Sequence, residues 1–189
     1  PLPSFVREKD MDRLLDGVPF REGYEGCRDR IILEVFYVTG MRLSELIGLN
    51  DVDVDFSSKL IKVTGKRNKQ RLIPFGKELE EDLLIYIKVR NEALPERSSS
   101  LFVRKNGLRM YPVQVYRLVR RSLSKVVALK KRSPHVLRHS FATAMLNDNA
   151  QLGAVKELLG HESLATTGIY THTTFEELKK VYEQAHPRA

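Results

Sequence analysis

The hydrophobic pattern of this chain changes period once, and that change limits the fold more than any other feature. From about Glu8 to Leu49 apolar residues recur at helical spacing. Between Val52 and Pro74 they alternate instead: Val52, Val54 and Phe56, then Leu60, Lys62 and Thr64 against Ile61 and Val63, then Arg71, Leu72 and Ile73 before Pro74. Helical spacing returns from about Lys77 to Asn91 and again from Pro112 onward. A short meander between helical blocks predicts a mainly α chain with a small three-stranded antiparallel β-sheet (α+β), its turns at Ser57-Ser58 and at Gly65 to Lys69.

Local signals sharpen the helices. The first is expected over about Glu8 to Leu15, stopping at Gly17. The second, about Tyr24 to Thr39, carries Ile31, Ile32, Val35, Phe36 and Val38, too dense for a narrow stripe, so it is expected to be buried on most sides. Gly40 suits a left-handed C-cap, and a short helix around Leu43 to Leu49 follows. LPERSSS (94–100) reads as a loop, and Asn106-Gly107 as the tip of a small hairpin. Ser133-Pro134 reads as an N-cap with proline at the first helical position, and Asn149 and Gly160 as C-caps. Thr174 with Glu177 has the spacing of a capping box for a last helix, about Thr174 to His186, with Phe175, Leu178, Val181, Tyr182 and Ala185 on one apolar face.

A chain of 189 residues, 42% hydrophobic and 30% charged, suits one globular domain spanning 1–189. No apolar run approaches the roughly 20 residues that span a bilayer, and the start, PLPSFVREKD, lacks the pattern of a secretory signal. Cys27 has no cysteine to pair with, which fits a reducing, cytoplasmic compartment. The net charge of +8 favours a polyanionic partner, nucleic acid or an anionic membrane surface. Basic residues cluster at Lys66, Arg67, Lys69 and Arg71, at Arg104, Lys105 and Arg109, at Arg117, Arg120 and Arg121, and at Lys130 to Arg132. Acids gather elsewhere, as at Glu78 to Asp82, so one phosphate-facing surface and one solvated back are expected.

Six residues invite a chemical reading, and each alone has an ordinary one. Arg42, beside free N–H groups at a helix start, suits an anion, but it is equally placed to pair with Glu45. Lys66 stands at a hairpin tip that can approach a phosphate, or simply face water. His135 and Arg138 share one face near a helix start. His139, four residues from His135, raises a metal reading, but Val136 stands where a helical zinc site wants glutamate, so no metal is expected. His161 follows Leu159-Gly160, and Tyr170 follows nine residues later; a tyrosine in helical sequence is most often a packing residue.

Taken together, TGMRLSEL, GKRNKQR followed by IP, HVLRHSFAT, ELLGH and ATTGIYTH resemble, in order, the conserved boxes of the tyrosine recombinase/integrase family, in particular its Xer-type bacterial branch. The ending HPRA adds to the likeness. Asn149, where many relatives have glycine, and Gln151-Leu152-Gly153 depart from the pattern without touching a site position. The resemblance implies the family's catalytic-domain fold and site-specific DNA recombination through a covalent 3′-phosphotyrosyl intermediate. Tyr170 would be the nucleophile and Arg42 and Arg138 would hold the phosphate. Lys66 would protonate the leaving 5′-oxygen, His135 would assist proton transfer, and His161 would donate to the phosphate, with no cofactor. It further implies double-stranded DNA target sites and other recombinase protomers in a tetrameric synapse as partners, and no membrane. The family's N-terminal core-binding domain is expected to lie outside this chain. The last helix, 174–186, could fold back on its own domain; the resemblance instead implies docking on a neighbouring protomer, with its apolar face exposed in a chain without neighbours. The protein would be cytoplasmic and nucleoid-associated, in chromosome partition or mobile-element integration. A type IB topoisomerase-like nicking-closing activity and a non-catalytic DNA-binding module are the rival readings.

Overall fold

The computed structural model describes residues 5–160 and 172–189. Its axis is α2 (Tyr24–Thr39), in which Ile31, Ile32, Leu33, Val35, Phe36, Tyr37 and Val38 are each at most 2% exposed. A helix apolar on nearly every side must be wrapped, and α4 (Lys77–Ala93) and α6 (Pro134–Asn147) pack against it. Upstream, α1 (Glu8–Asp12) runs into a π-helical turn over Arg13–Gly17. As expected, α2 ends on Gly40 in the left-handed conformation, φ +66°. A Cβ there would lie 2.5 Å from the Phe141 ring and 2.6 Å from Leu159. Glycine therefore lets α6 and α7 (Leu152–Leu159) close on the end of α2.

The sheet is the expected antiparallel meander of β1 (Val54–Asp55), β2 (Leu60–Thr64) and β3 (Gln70–Pro74). Ile61 faces Ile73 and Val63 faces Arg71, with Ile61, Val63 and Ile73 buried. The first strand is shorter than its alternation suggested. Asp51–Asp53 form a 3₁₀ turn because the Asp53 carboxylate takes the Asn50 N–H at 2.8 Å, and Val52 is left 87% exposed. Around Asn106-Gly107 the hairpin reduces to one bridge, Val103 with Arg109. A short α3 (Leu43–Gly48) packs against both β2 and α5 (Pro112–Leu123). Ser133 precedes α6 as expected, but its side chain makes no capping bond.

The last helix, α8 (His172–Ala185), begins two residues before the expected capping box. Its Leu178, Tyr182 and Ala185 join Phe141, Met145, Val155, Leu158 and Leu159 in a second core cluster. Of the two seats the sequence leaves open for this helix, the lone chain occupies the one on its own domain, where Leu178, Tyr182 and Ala185 cover apolar surface that α6 and α7 leave open. Two polar anchors follow. Arg188 pairs with Asp12 (2.8 Å), Asp16 (3.1 Å) and Glu78, so three carboxylates balance a guanidinium that is 8% exposed. His186 stacks on Phe141 and Tyr182, ring centres 5.5 and 5.6 Å away. Its Nδ1 accepts the Arg188 N–H at 3.0 Å, so the ring proton sits on Nε2 and is donated to the Tyr37 carbonyl at 3.1 Å. Among the described residues no helix is long and apolar enough to cross a membrane.

Burial, with Arg188 close by, pushes the His186 pKa down to about 4. An unfolded chain takes up that proton near pH 6.5, so the neutral ring's contribution is complete above about 6.5 and fades as pH falls toward 4. Urea unfolding between pH 7 and pH 4 should cost the parent chain about 3 kcal/mol more than it costs His186→Gln.

Candidate active site

Arg42 is the N-cap of α3. Its N–H donates to Glu45 Oε1 at 2.7 Å, while its guanidinium, 43% exposed, lies 3.7 Å from Glu45 Oε2. Pairing and availability to an anion thus coexist. Glu45 is buried and accepts a second, bidentate arginine, Arg71, with Nη2 3.1 Å from Oε1. Lys66 opens the turn between β2 and β3, exposed, where Arg67 and Asn68 take left-handed conformations and Gly65 N–H bonds the Lys69 carbonyl at 2.8 Å. His135 and Arg138 lie one turn apart at the start of α6. His135 is exposed, whereas Arg138, 7% exposed, donates to the Gly40 carbonyl at 2.6 Å and the Leu159 carbonyl at 2.7 Å. His139 is exposed, edge-on to Phe5.

Three concavities join these residues. One of about 290 Å³ is lined by Arg42, His135, Arg138 and Tyr116. Arg42 is also the wall of a second, about 360 Å³, with Lys66, Arg71 and Gly160. Tyr116 and Ser133 continue the first into a third, about 530 Å³, with Arg120 and Lys130 to Arg132. The four described members of the expected set therefore line one basic groove. His161 and Tyr170 lie outside the described residues; Gly160, which precedes His161, is on the rim. A further concavity on the other side of α5 gathers Arg104, Lys105, Arg117 and Arg121 but also Glu25 and Asp29.

Electrostatics make the groove an anion site. Burial and the neighbouring Arg42 and Arg71 lower the Arg138 pKa to about 10, which still leaves it charged at neutral pH. Burial alone would raise Glu45, but the Arg71 hydrogen bonds and charge, with the Arg42 N–H, pull its carboxyl below the usual range. One carboxylate among three guanidiniums leaves positive charge unmatched in a partly dry cleft, which a phosphodiester would neutralise. The carboxylates of Glu34, Glu78 and Asp82, which converge closely enough to hold a cation, belong to the arginine-rich mesh around Arg30 and Arg188.

In the sequence Glu45 stands out only as a partner for Arg42, and Arg71 only as a strand residue within a basic cluster. A signal was available for Arg71: two residues before buried Ile73 on one strand, it shares the inward face. Removing the Arg138 fork should leave two enclosed carbonyls unpaired. Arg138→Met is expected to lower unfolding free energy by about 2–4 kcal/mol in urea, with Arg138→Lys recovering only part.

The model of the family described as "Phage integrase family" matches residues 4–177. Tyrosine recombinase XerC of Chlorobaculum parvum is 49% identical over 172 residues, covering 88% of this chain and 51% of the relative. XerC of Chlorobaculum tepidum is 41% identical, covering 100% and 62%. Among solved structures, that of XerA recombinase superposes with a TM-score of 0.75 at 31% identity, covering 100% of this chain and 67% of the other. XerH bound to its difH substrate in a pre-cleavage complex gives 0.76 at 26%, covering 93% and 53%. The chain spans between about half and three fifths of the two XerC relatives. Motifs, fold and matches agree, and the chain belongs to the phage integrase family of tyrosine recombinases.

Proposed function

We propose that this chain is the catalytic domain of a site-specific DNA recombinase that breaks and rejoins strands by transesterification. The observation that carries the reading is the confluence of Arg42, Lys66, His135 and Arg138 on one groove, with Gly160, the residue before His161 in sequence, on its rim. In the proposed reaction the Tyr170 oxygen attacks phosphorus, a 3′-phosphotyrosyl bond forms and the 5′-oxygen leaves. A 5′-hydroxyl of the exchanging strand then reverses the step. A tyrosine of pKa about 10 is protonated at neutral pH, so attack needs a proton acceptor and stabilisation of the added charge. Arg42 and Arg138 present permanently charged, planar donors to the non-bridging oxygens. Lys66, on an exposed turn, protonates the leaving oxygen once DNA is seated; His135 takes up the nucleophile's proton and His161 donates to the phosphate. The groove floor running on to Arg120 and Lys130–Arg132 supplies contacts to flanking phosphates.

The partners in this reading are double-stranded DNA sites, as for XerH bound to its difH substrate, and further protomers assembled as a tetramer on DNA. A core-binding domain preceding this one would complete the clamp, and α8 would exchange its seat with that of a neighbour in the synapse. The setting is cytoplasmic and nucleoid-associated.

A nicked suicide DNA substrate should trap a covalent adduct that Tyr170→Phe abolishes; an adduct surviving in that variant would remove Tyr170 from the role. Arg42→Gln is expected to slow strand cleavage about 10²–10³-fold, measured under single-turnover conditions.

A further inference from the structure

We infer that Arg71 is a positioning residue: through Glu45 it registers the turn that carries Lys66 against the turn that leads into His161. The inference rests on the reading of the groove as a DNA-cleaving site. Arg71 leaves β3 on the inward face and makes two kinds of contact at once. Its Nη atoms grip both oxygens of Glu45, and its Nε donates at 3.0 Å to the Leu158 carbonyl at the end of α7. Gly160 is moulded to it: a Cβ there would lie 2.8–2.9 Å from Arg71 Cδ, Nε and Nη1.

Glu45 extends the reach of the pair. It accepts the Arg42 N–H, and a Cβ on Gly65, the residue before Lys66, would come 3.5 Å from its Oε2. One buried ion pair, 14% and 0% exposed, therefore adjoins Arg42 directly and also Gly65 and Gly160, the residues that precede Lys66 and His161 in sequence. Such a pair is a poor device for stability, since desolvation offsets most of its attraction. What it supplies is registry. A guanidinium is a rigid plane with donors on fixed edges, so α3, β3 and the end of α7 can meet it in only one arrangement. A lysine ammonium engages Glu45 but cannot also span to Leu158 with that geometry.

The test compares two DNA substrates in the full-length protein. One carries the ordinary 5′-bridging oxygen at the scissile phosphate. The other carries sulfur there, which departs as a thiolate without being protonated. In either case the Tyr170 oxygen forms the new bond to phosphorus and the bond to the leaving atom breaks with its electron pair. Arg71→Lys should fold and bind DNA as the parent does, with a somewhat lower melting temperature, yet cleave the oxygen substrate about 10–100-fold more slowly. On the sulfur substrate the loss should shrink by about tenfold, because displacement of Lys66 no longer matters there. An equal loss on both substrates, or no loss, would overturn the role of Arg71 while leaving the Tyr170 adduct in place. Absence of an adduct from the parent protein would instead remove the nucleophile reading and this inference with it. Should Arg71→Lys not fold, Arg71→Met with Glu45→Gln removes both members of the buried pair together and is held to the same comparison.

Discussion

Two helices end on the guanidinium of Arg138. The last turn of an α-helix presents carbonyls with no partner in the helix and carries partial negative charge. Here the Gly40 carbonyl, beyond α2, and the Leu159 carbonyl, at the end of α7, are both taken up by one side chain from α6. The groove depends on that junction. It fixes where α2 stops and α3 starts, hence where Arg42 stands, and where α7 hands the chain on toward His161. A residue expected to grip phosphate is thus also a structural bolt, and its orientation is set before any ligand arrives, which is what preorganised charge stabilisation requires.

Much of this was legible in the sequence, for identifiable reasons. α2 is dense in apolar residues and closed by Gly40, so its bounds were read as the structure has them. The three-strand meander followed from a change of period, and Gly160 from its place at the end of α7. What failed involves side chains competing with backbone pattern. Asp53 captures the Asn50 N–H and turns an apparent strand residue, Val52, into a solvent-facing one. Arg90, fully buried on Asp51 and on the Ser100 and Leu101 carbonyls, tethers the 94–100 loop to α4, and no local pattern announces an arginine that is saturated by distant partners. Of the site, Arg42, Lys66, His135 and Arg138 were legible only as a set, because each alone has an ordinary role. Arg71 and Glu45 were not, since their partnership joins residues 26 positions apart.

The charges divide only in part as the sequence suggested, since Arg104, Lys105, Arg117 and Arg121 gather with Glu25 and Asp29 away from the groove. Asp12, Asp16, Glu78 and Asp82 are consumed by Arg30 and Arg188, whereas among the described residues the groove cations Arg42, Arg71 and Arg138 share the single carboxylate of Glu45. Among the described residues the groove is therefore a place where cations outnumber their counter-charge. Field from such a patch, focused by low-dielectric walls, draws phosphate in and weakens with salt.

The anchoring of the C-terminal segment has a consequence for assembly. Every group that seats it, from Tyr37 and Phe141 around His186 to Asp12, Asp16 and Glu78 around Arg188, is also present on an identical copy of the chain. Seating on a copy would reproduce the same contacts, so the contact energies of the two arrangements cancel. What separates them is effective concentration, set for the home seat by the connection across residues 161–171 and for the foreign seat by how closely two copies are held. Free in solution at micromolar levels, the home seat wins by mass action; on a shared scaffold that brings copies to millimolar local concentration, the two become nearly degenerate.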